Sequence, residues 1–516
     1  MLAWTLYISF LGMLCLMLLR RDDAKSARKV ALFATVAGLL VALAGVVSYD
    51  ANGGLSDAVD VAWLPGLGIR FHLAADGLSL VLVLLTGIAA VVGVLFSWNV
   101  EHRAKEFFAL YLALIGGVYG VFLSVDLFLL FVFYELAIVP KYFLIAIWGS
   151  TRREYAAMKL ALYSFVGSAM VLIGLIAAYV LAGANTFSLV ELARFPFARA
   201  DQMWLFPLVF TGFAILAGMW PFHTWAPTGH SAAPTAASML LAGVIMKLGA
   251  YGCLRVAMVL FPEGMGEWSR GVLGFHSWRD VFGLLAVIGI VHGAMVALVQ
   301  KDFKFVIGYS SVSHMGFVLL GLMTLSAIGL SGAVLQMFSH GIIAGLLFAV
   351  VGRMVYERAH TRMLDELEVM RLSKALPFAA VTFVVAGLAS MGMPGFSGFI
   401  AEMQVLIGAW KAWPTYAVLA GLGVLLGVAY TLRAIQKAFF SASEDAADVA
   451  AKIHPHPRER EEHAQLEPIT IPERMGAALL IAVTVLIGLY PRLLLDLIVP
   501  TLQSPLMSKL LKGGGP

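Results

Sequence analysis

Runs of about 18 or more apolar residues, each long enough to cross a bilayer as a helix, recur from the start of the chain almost to its end. The pattern predicts spans at 1–19, 29–49, 73–97, 107–124, 126–149, 156–182, 203–222, 233–261, 281–299, 303–324, 327–355, 375–393 continuing to 410, 416–440 and 475–498. That is an all-α polytopic membrane protein with about fourteen transmembrane helices. The first run lacks a charged leader and meets Arg20 and Arg21, so it reads as a span and not a cleaved signal. Lys and Arg concentrate in alternate loops: Arg20 to Lys29, Arg103 and Lys105, Arg152 and Arg153, Lys301 and Lys304, Arg353 to Lys374, and Lys437 to Arg474. The positive-inside rule places these loops in the cytoplasm and both termini on the opposite side. Arg492 and Lys509 run against that count.

Two places break the helical pattern at membrane depth. Pro221, Pro227, Gly229 and Pro234 interrupt GMWPFHTWAPTGHSAAPTAAS, and Gly392, Pro394, Gly395 and Gly398 interrupt SMGMPGFSGFIAE. Proline frees a helical carbonyl, which lipid tolerates only where protein or water satisfies it. Matching breaks in two halves point to inverted repeats around a midplane ion site. The expected organisation is a single membrane domain over 1–516. N-terminal helices occupy about 1–100, repeats of five helices run over 107–261 and 281–440 with the seventh and twelfth helices discontinuous at Pro221 and Pro394, a cytoplasmic linker covers 441–474, and a last helix spans 475–498.

Composition agrees with this class: 61% hydrophobic, 13% charged, mean hydropathy +0.90. A net charge of +4 spread over loops gives nucleic-acid binding no support. Cys15 and Cys253 lie in apolar segments, no Cys/His cluster has metal-ligand spacing, and no phosphate-binding glycine motif follows a strand. The chain therefore shows no redox cofactor or nucleotide site. Against that apolar background, Glu135, Lys247 and Glu402 stand inside spans. A charge at the bilayer centre costs about 2.5–3.5 kcal/mol even on insertion scales, and such residues mark ion or proton paths. A buried structural ion pair is the competing reading for each.

FYELAIVPKYFLIAIWG, PFHTWAPTGHSAAPTAASMLLAGVIMKLGAYG, KDFKFVIGYSSVSHMGF and PGFSGFIAEM resemble, in order and in spacing, the subunit M family of NADH-quinone oxidoreductase, the antiporter-like membrane subunits of respiratory complex I. The resemblance covers about 70–440. Mrp-type cation/proton antiporters and membrane-bound hydrogenases use related subunits, and Glu402, where several relatives carry lysine, favours subunit M. What the resemblance implies is a proton-translocating subunit in the bacterial inner membrane with periplasmic termini. Quinone reduction in other subunits would drive it, and it would do no redox chemistry itself. FMN, iron–sulfur clusters and quinone would belong to partners. L-like and N-like antiporter subunits and a peripheral arm would assemble with it. An Mrp-type or hydrogenase subunit, and a non-transporting scaffold, are the alternatives.

Carried over by motif, the resemblance makes Glu135 the glutamate of the fifth helix, Lys247 the linking lysine of the eighth, and Glu402 the terminal carboxylate of the broken twelfth. His314 and His340 match histidines of the central hydrophilic axis. The family's seventh-helix lysine, five residues before the proline of P-x-H-x-W, falls here on Leu216. An unusual Lys141 follows Pro140 in the fifth helix, which points to a relocated amine, with snorkelling to the surface as the competing reading. His223 and His230 flank the first break and are expected to satisfy freed backbone groups. His292 lies mid-span without a motif, and Lys159, Lys304 and Arg255 read as helix-end residues.

Overall fold

The computed structural model describes residues 1–21, 23–50, 54–268, 274–441 and 466–512. Among them, 12 helices are long and apolar enough to cross a membrane. They are α2 (Ala24–Ser48), α3 (Gly77–Phe96), α4 (Ala104–Leu123), α5 (Leu127–Trp148), α6 (Arg153–Ala182), α7 (Arg199–Ala217), α9 (Thr235–Met258), α10 (Trp278–Val299), α11 (Phe303–Met323), α12 (Ala327–Ala359), α15 (Pro414–Phe440) and α16 (Ile471–Leu489). Two shorter apolar helices, α1 (Ala3–Leu18) and α13 (Pro377–Ser390), join them. Helix α8 (Trp225–Ala232) continues α7 beyond a break, α14 (Ser397–Ala412) continues α13, and α17 (Arg492–Leu502) follows α16.

Helix starts are set by capping residues in the loops. The carboxylates of Asp23, Asp76, Asp126 and Asp302 and the hydroxyls of Ser277 and Ser326 each accept an amide N–H of the first turn, satisfying donors that have no partner within the helix. Two of these starts carry the same clamp. Leu127 N–H donates to Phe187 O at 2.8 Å and Leu189 N–H to Val125 O at 2.9 Å. Phe303 N–H donates to Arg362 O, and Leu364 N–H to Lys301 O, both at 2.8 Å. Each clamp leads into a one-turn helix, Leu189–Leu192 or Leu364–Leu367. The N-cap of α5 is thus bound to the segment after α6, and the N-cap of α11 to the segment after α12.

Close helix approach depends on absent side chains, as in membrane interiors generally. A Cβ on Gly167 in α6 would lie 2.5 Å from Gly212 O in α7, and one on Gly341 in α12 would lie 2.6 Å from Gly243 O in α9. The second contact seats the two central helices against each other beside Lys247 and His340.

Several boundaries differ from the sequence reading. An antiparallel hairpin, β1 (Ser56–Leu64) with β2 (Ile69–Ala75), precedes α3, so the chain is not wholly helical. Its short alternating strands carry no span-length apolar run. The last apolar run is not one helix over 475–498: α16 starts at Ile471, inside the expected linker, and Tyr490–Pro491 separates it from α17. Pro491 lacks the N–H that would continue the ladder. Residues 442–465 of the expected linker lie outside the described residues. Pro140, by contrast, sits inside a continuous α5.

The start of α16 is fixed by a buried ion cluster. Glu473, 1% exposed at its side chain, meets Arg353 through Oε1 and Arg358 through Oε2 at 2.8 Å. Arg358 also donates to the carbonyls of Glu467 and Pro468 at 2.8 and 3.0 Å. Removing the carboxylate leaves the buried Arg358 without a counter-charge and Arg353 with Glu357 alone, so Glu473→Ala should destabilise the protein by about 3–5 kcal/mol. Thermal unfolding of the detergent-solubilised protein should show the loss, and an unshifted transition would contradict this role.

Candidate functional site

The site is built where the two halves meet. In α9, a wide π turn over Leu241–Ile245 directly precedes Lys247. Such a turn displaces backbone carbonyls from the normal ladder, and the Lys247 ammonium donates to the Ala242 carbonyl. Its second partner is Nδ1 of His340 in α12, at 2.8 Å. An ammonium can only donate, so Nδ1 accepts and the ring proton of His340 belongs on Nε2. Lys247 is 0% exposed and His340 3%.

From His340 the line runs to α11. The His314 ring stacks on that of His340 with centroids 5.3 Å apart. His314 Nδ1 lies 3.0 Å from Glu402 Oε1, and Nε2 lies 3.2 Å from Ser390 Oγ at the end of α13. Gln336 Nε2 reaches both His314 Nδ1, at 3.3 Å, and Glu402 Oε1, at 3.2 Å. A protonated Nδ1 can donate to Glu402, and an unprotonated one can accept from Gln336, so the site accommodates both states of His314. Glu402 leans into the break before α14: a Cβ on Gly392 would stand 2.8 Å from its Oε2, and Gly392 has φ +70°. A cavity of about 510 Å³ between α14 and α15, lined by Glu402 together with Met403, Trp410, Lys411 and Val418, reaches this carboxylate.

Lys247, His340, His314 and Glu402 are therefore brought into one buried line. Glu135 and Lys141 are not part of it. Lys141 is 1% exposed and donates to Ser164 Oγ in α6 at 3.4 Å. Glu135 is half-buried, its Oε1 has no hydrogen-bond partner, and Ser168 and the Lys141 charge are nearby. Ser164 and Ser168 are four residues apart and share a face of α6, so the pair on α5 looks onto one polar strip. Among the described residues no hydrogen bond joins Lys141 to Lys247 or Leu216, and Leu216 is buried in the core.

Pro221 and Pro394 both lie in the non-helical stretches between α7 and α8 and between α13 and α14. The expectation for the flanking histidines needs correction. Trp225 Nε1, not a histidine, donates to the Ile215 carbonyl at 2.8 Å, which also accepts the Gly218 N–H at 3.1 Å, and His230 has no partner at either ring nitrogen. An indole N–H at the first position after the break is well placed for this, and its composition signal is only a tryptophan near proline.

Other polar groups were missed or undervalued in the sequence. Lys304 is buried, with Nζ 3.1 Å from Ala233 O in the turn between α8 and α9. Arg255 pairs with Asp76 at 2.6 Å, both side chains nearly inaccessible. Next to them Tyr251 Oη lies 3.1 Å from Ser79 Oγ and donates to Phe122 O at 3.2 Å. Helix-end position hid these residues, because their burial depends on which neighbouring helix covers them. Among the described residues no three His, Cys, Asp or Glu side chains gather to hold a metal.

With this geometry in place, comparison with known proteins is specific. The profile of the family described as NADH:quinone oxidoreductase/Mrp antiporter, TM, matches residues 124–427. The chain is 36% identical to NADH-quinone oxidoreductase subunit M of Rhodobacter capsulatus, over 92% of this chain and 90% of the relative. It is also 36% identical to the Escherichia coli (strain K12) subunit M, over 96% of each. Its fold is similar to a chain of respiratory complex I from Thermus thermophilus with bound NADH, with TM-score 0.84, 27% identity and all of both chains covered. It is also similar to a chain of the Mrp complex from a Dietzia species, with TM-score 0.81, 22% identity and 99% of both chains covered, a likeness of fold alone.

Gln336 is the joint that holds His314 and Glu402 in register. Gln336→Leu removes both bridging bonds from a buried site and should cost about 1–3 kcal/mol of stability. Thermal unfolding of the purified protein measures this, and no change would mean that the side chain merely fills space.

Proposed function

This chain belongs to the NADH:quinone oxidoreductase/Mrp antiporter family of membrane subunits, and we propose that the buried line from Lys247 through His340 and His314 to Glu402 is its proton path. It is a multi-span, antiporter-like membrane subunit of bacterial NADH-quinone oxidoreductase in the inner membrane. The enzyme complex is an oxidoreductase. This chain contributes proton translocation and no redox chemistry, while FMN, iron–sulfur clusters and quinone reside in partner subunits. L-like and N-like subunits flank it, the peripheral arm completes the assembly, and both termini face the periplasm.

One observation carries the reading: Lys247 and His340 at 2.8 Å and His314 and Glu402 at 3.0 Å are joined by stacked imidazoles inside an apolar bundle. An ammonium there survives only through the groups that accept its hydrogen bonds. Changing the protonation of His340 therefore changes whether Lys247 keeps its proton. His314 can pass a proton between the stacked pair and Glu402 by exchanging Gln336 for the carboxylate as its Nδ1 partner, and Glu402 releases it toward the far side or the adjacent subunit. The energy comes from quinone reduction elsewhere in the complex.

The matched clamps at α5 and α11 support two repeats of opposite orientation. Five spans (α5, α6, α7–α8, α9 and α10) separate the two clamps, and an odd number of crossings puts them at opposite faces. The same reading assigns Lys141 the role of the amine missing at Leu216. Its burial against Ser164, with Glu135 nearby, supports a proton-holding role in place of snorkelling.

Lys247→Ala should reduce proton pumping by the complex in proteoliposomes by on the order of 100-fold while the subunit still assembles. Normal pumping in the assembled variant would return the line to a structural role.

Lys141→Met should also stop pumping, and Lys141→Met with Leu216→Lys should restore part of it. The relocation fails if Lys141→Met pumps normally.

A further inference from the structure

A cavity of about 760 Å³ opens at the basic loops, where the start of α2 meets the loop into α4. Arg21, Lys25, Arg28 and Arg103 line it together with Asp23, Glu101 and Glu106. None of them belongs to the Lys247–Glu402 line. Arg28 is enclosed, its side chain 13% exposed. Its Nη2 donates to Val100 O at 3.1 Å and stands 3.7 Å from Glu101 Oε1, but its Nε–H is buried with no acceptor. Glu106 shows the converse. Its Oε1 stands 3.7 Å from Arg103 Nε, too far for a hydrogen bond, and its Oε2 is buried with no donor. Lys105, next in sequence, is engaged elsewhere: its Nζ donates to the Met17 and Leu19 carbonyls at 2.6 and 2.8 Å, holding the end of α1 against α4.

A buried donor and a buried acceptor without partners are both costly. Side by side in one cavity wall, they fit a ligand that accepts at one end and donates at the other. Four cations there face three carboxylates, a near balance that suits a zwitterion better than a dianion. The surface leading away from the cavity is apolar. At about 100° per residue, Phe33, Val36, Leu40, Leu43 and Val47 all fall within about 80° of the direction of Lys25 on α2, and all five are exposed. From Phe33 to Val47 the stripe runs about 21 Å, more than the roughly 15 Å of one leaflet's hydrocarbon. Leu11, Leu14 and Leu18 make a similar exposed stripe on α1. A basic cavity at the membrane surface with an apolar stripe below it is suited to a phospholipid headgroup and its chain.

We propose that this cavity is a phospholipid site selective for an ethanolamine headgroup. The phosphate accepts from the Arg28 Nε–H with Arg21 and Lys25 beside it, the primary ammonium donates to Glu106 Oε2, and an acyl chain follows the α2 stripe toward Val47. The bound headgroup bridges α2, through Arg28, and α4, through Glu106. A choline headgroup has no N–H to give Glu106, and a glycerol headgroup has no cation. Glu106 therefore supplies the selectivity, and Arg28 the affinity for the phosphate that all three headgroups share. The proposal does not depend on the proton-path reading.

The intact complex is reconstituted in phosphatidylcholine vesicles with a small fraction of phosphatidylethanolamine carrying a diazirine in its acyl chain. After irradiation, labelled peptides are identified by mass spectrometry, and a matched phosphatidylcholine probe is run in parallel. The ethanolamine probe should label residues 11–47 about tenfold more than the choline probe. Excess plain phosphatidylethanolamine should remove that label, whereas equal phosphatidylglycerol or soluble glycerophosphoethanolamine should not. Glu106→Gln, which keeps the side-chain shape, should bring the two probes level, and Arg28→Met should lower labelling by both. If Arg28→Met does not assemble, Arg28→Gln should show the same loss. Equal labelling by the two probes in the unaltered complex means that bulk lipid alone bathes the stripe, and it overturns the proposal. Displacement by glycerophosphoethanolamine overturns it in favour of a soluble ligand, and absence of label from α2 overturns it in favour of a neighbouring subunit covering the stripe.

Discussion

Lipid supplies no hydrogen bonds, so each backbone group released from a helix must find its partner within the protein. The site depends on how that requirement is met at three places. The π turn in α9 presents the Ala242 carbonyl to Lys247, the break after α7 lets Trp225 join the Gly218 N–H on the Ile215 carbonyl, and Ala233 O receives Lys304. Two of the three side-chain donors are ammonium groups. The same irregular backbone that needs satisfying therefore brings charge to membrane depth, and a continuous helix at these points would remove both the need and the charge.

Placing charge in the interior imposes a further condition, since an isolated buried ion is prohibitively costly. Three solutions appear. Asp76 with Arg255, and Glu473 with Arg353 and Arg358, are closed clusters with opposite charges in direct contact, suited to fixing helix ends. The Lys247–His340–His314–Glu402 line is extended, with its acid and its amine separated by two titratable rings. Lys141 on Ser164, with Glu135 nearby, is looser and lacks direct ion contact. Direct contact locks a pair, whereas separation by imidazoles leaves protonation free to change, and that difference distinguishes scaffold from path more clearly than burial does.

The apolar runs determined by themselves that the chain is a membrane protein, and the clusters of proline with glycine determined where two helices break, because both follow from local backbone chemistry, although a lone proline such as Pro140 does not break its helix. Residue type alone also singled out Glu135, Lys247 and Glu402, since an ionisable group in a span needs a partner wherever it lies, whereas His314 and His340 came from the family resemblance. Hydropathy was blind to the β1–β2 hairpin, which alternates over too short a length, and it ran through Tyr490–Pro491 because apolar content does not register a missing N–H.

Only the tertiary structure decided which polar groups meet. Gly243 and Gly341 let α9 and α12 touch, and that approach, between residues 98 apart in sequence, is what sets Lys247 against His340. The wide turn before Lys247 rotates its side chain in a way that ideal helical spacing does not encode. Burial of Lys304 and Arg255, which stand near helix ends, follows from the helices that cover them. The facing of Lys141 toward Ser164 likewise depends on how α5 packs on α6. Local sequence fixes the cost of each charge, but the packing of distant segments chooses the partner that offsets it.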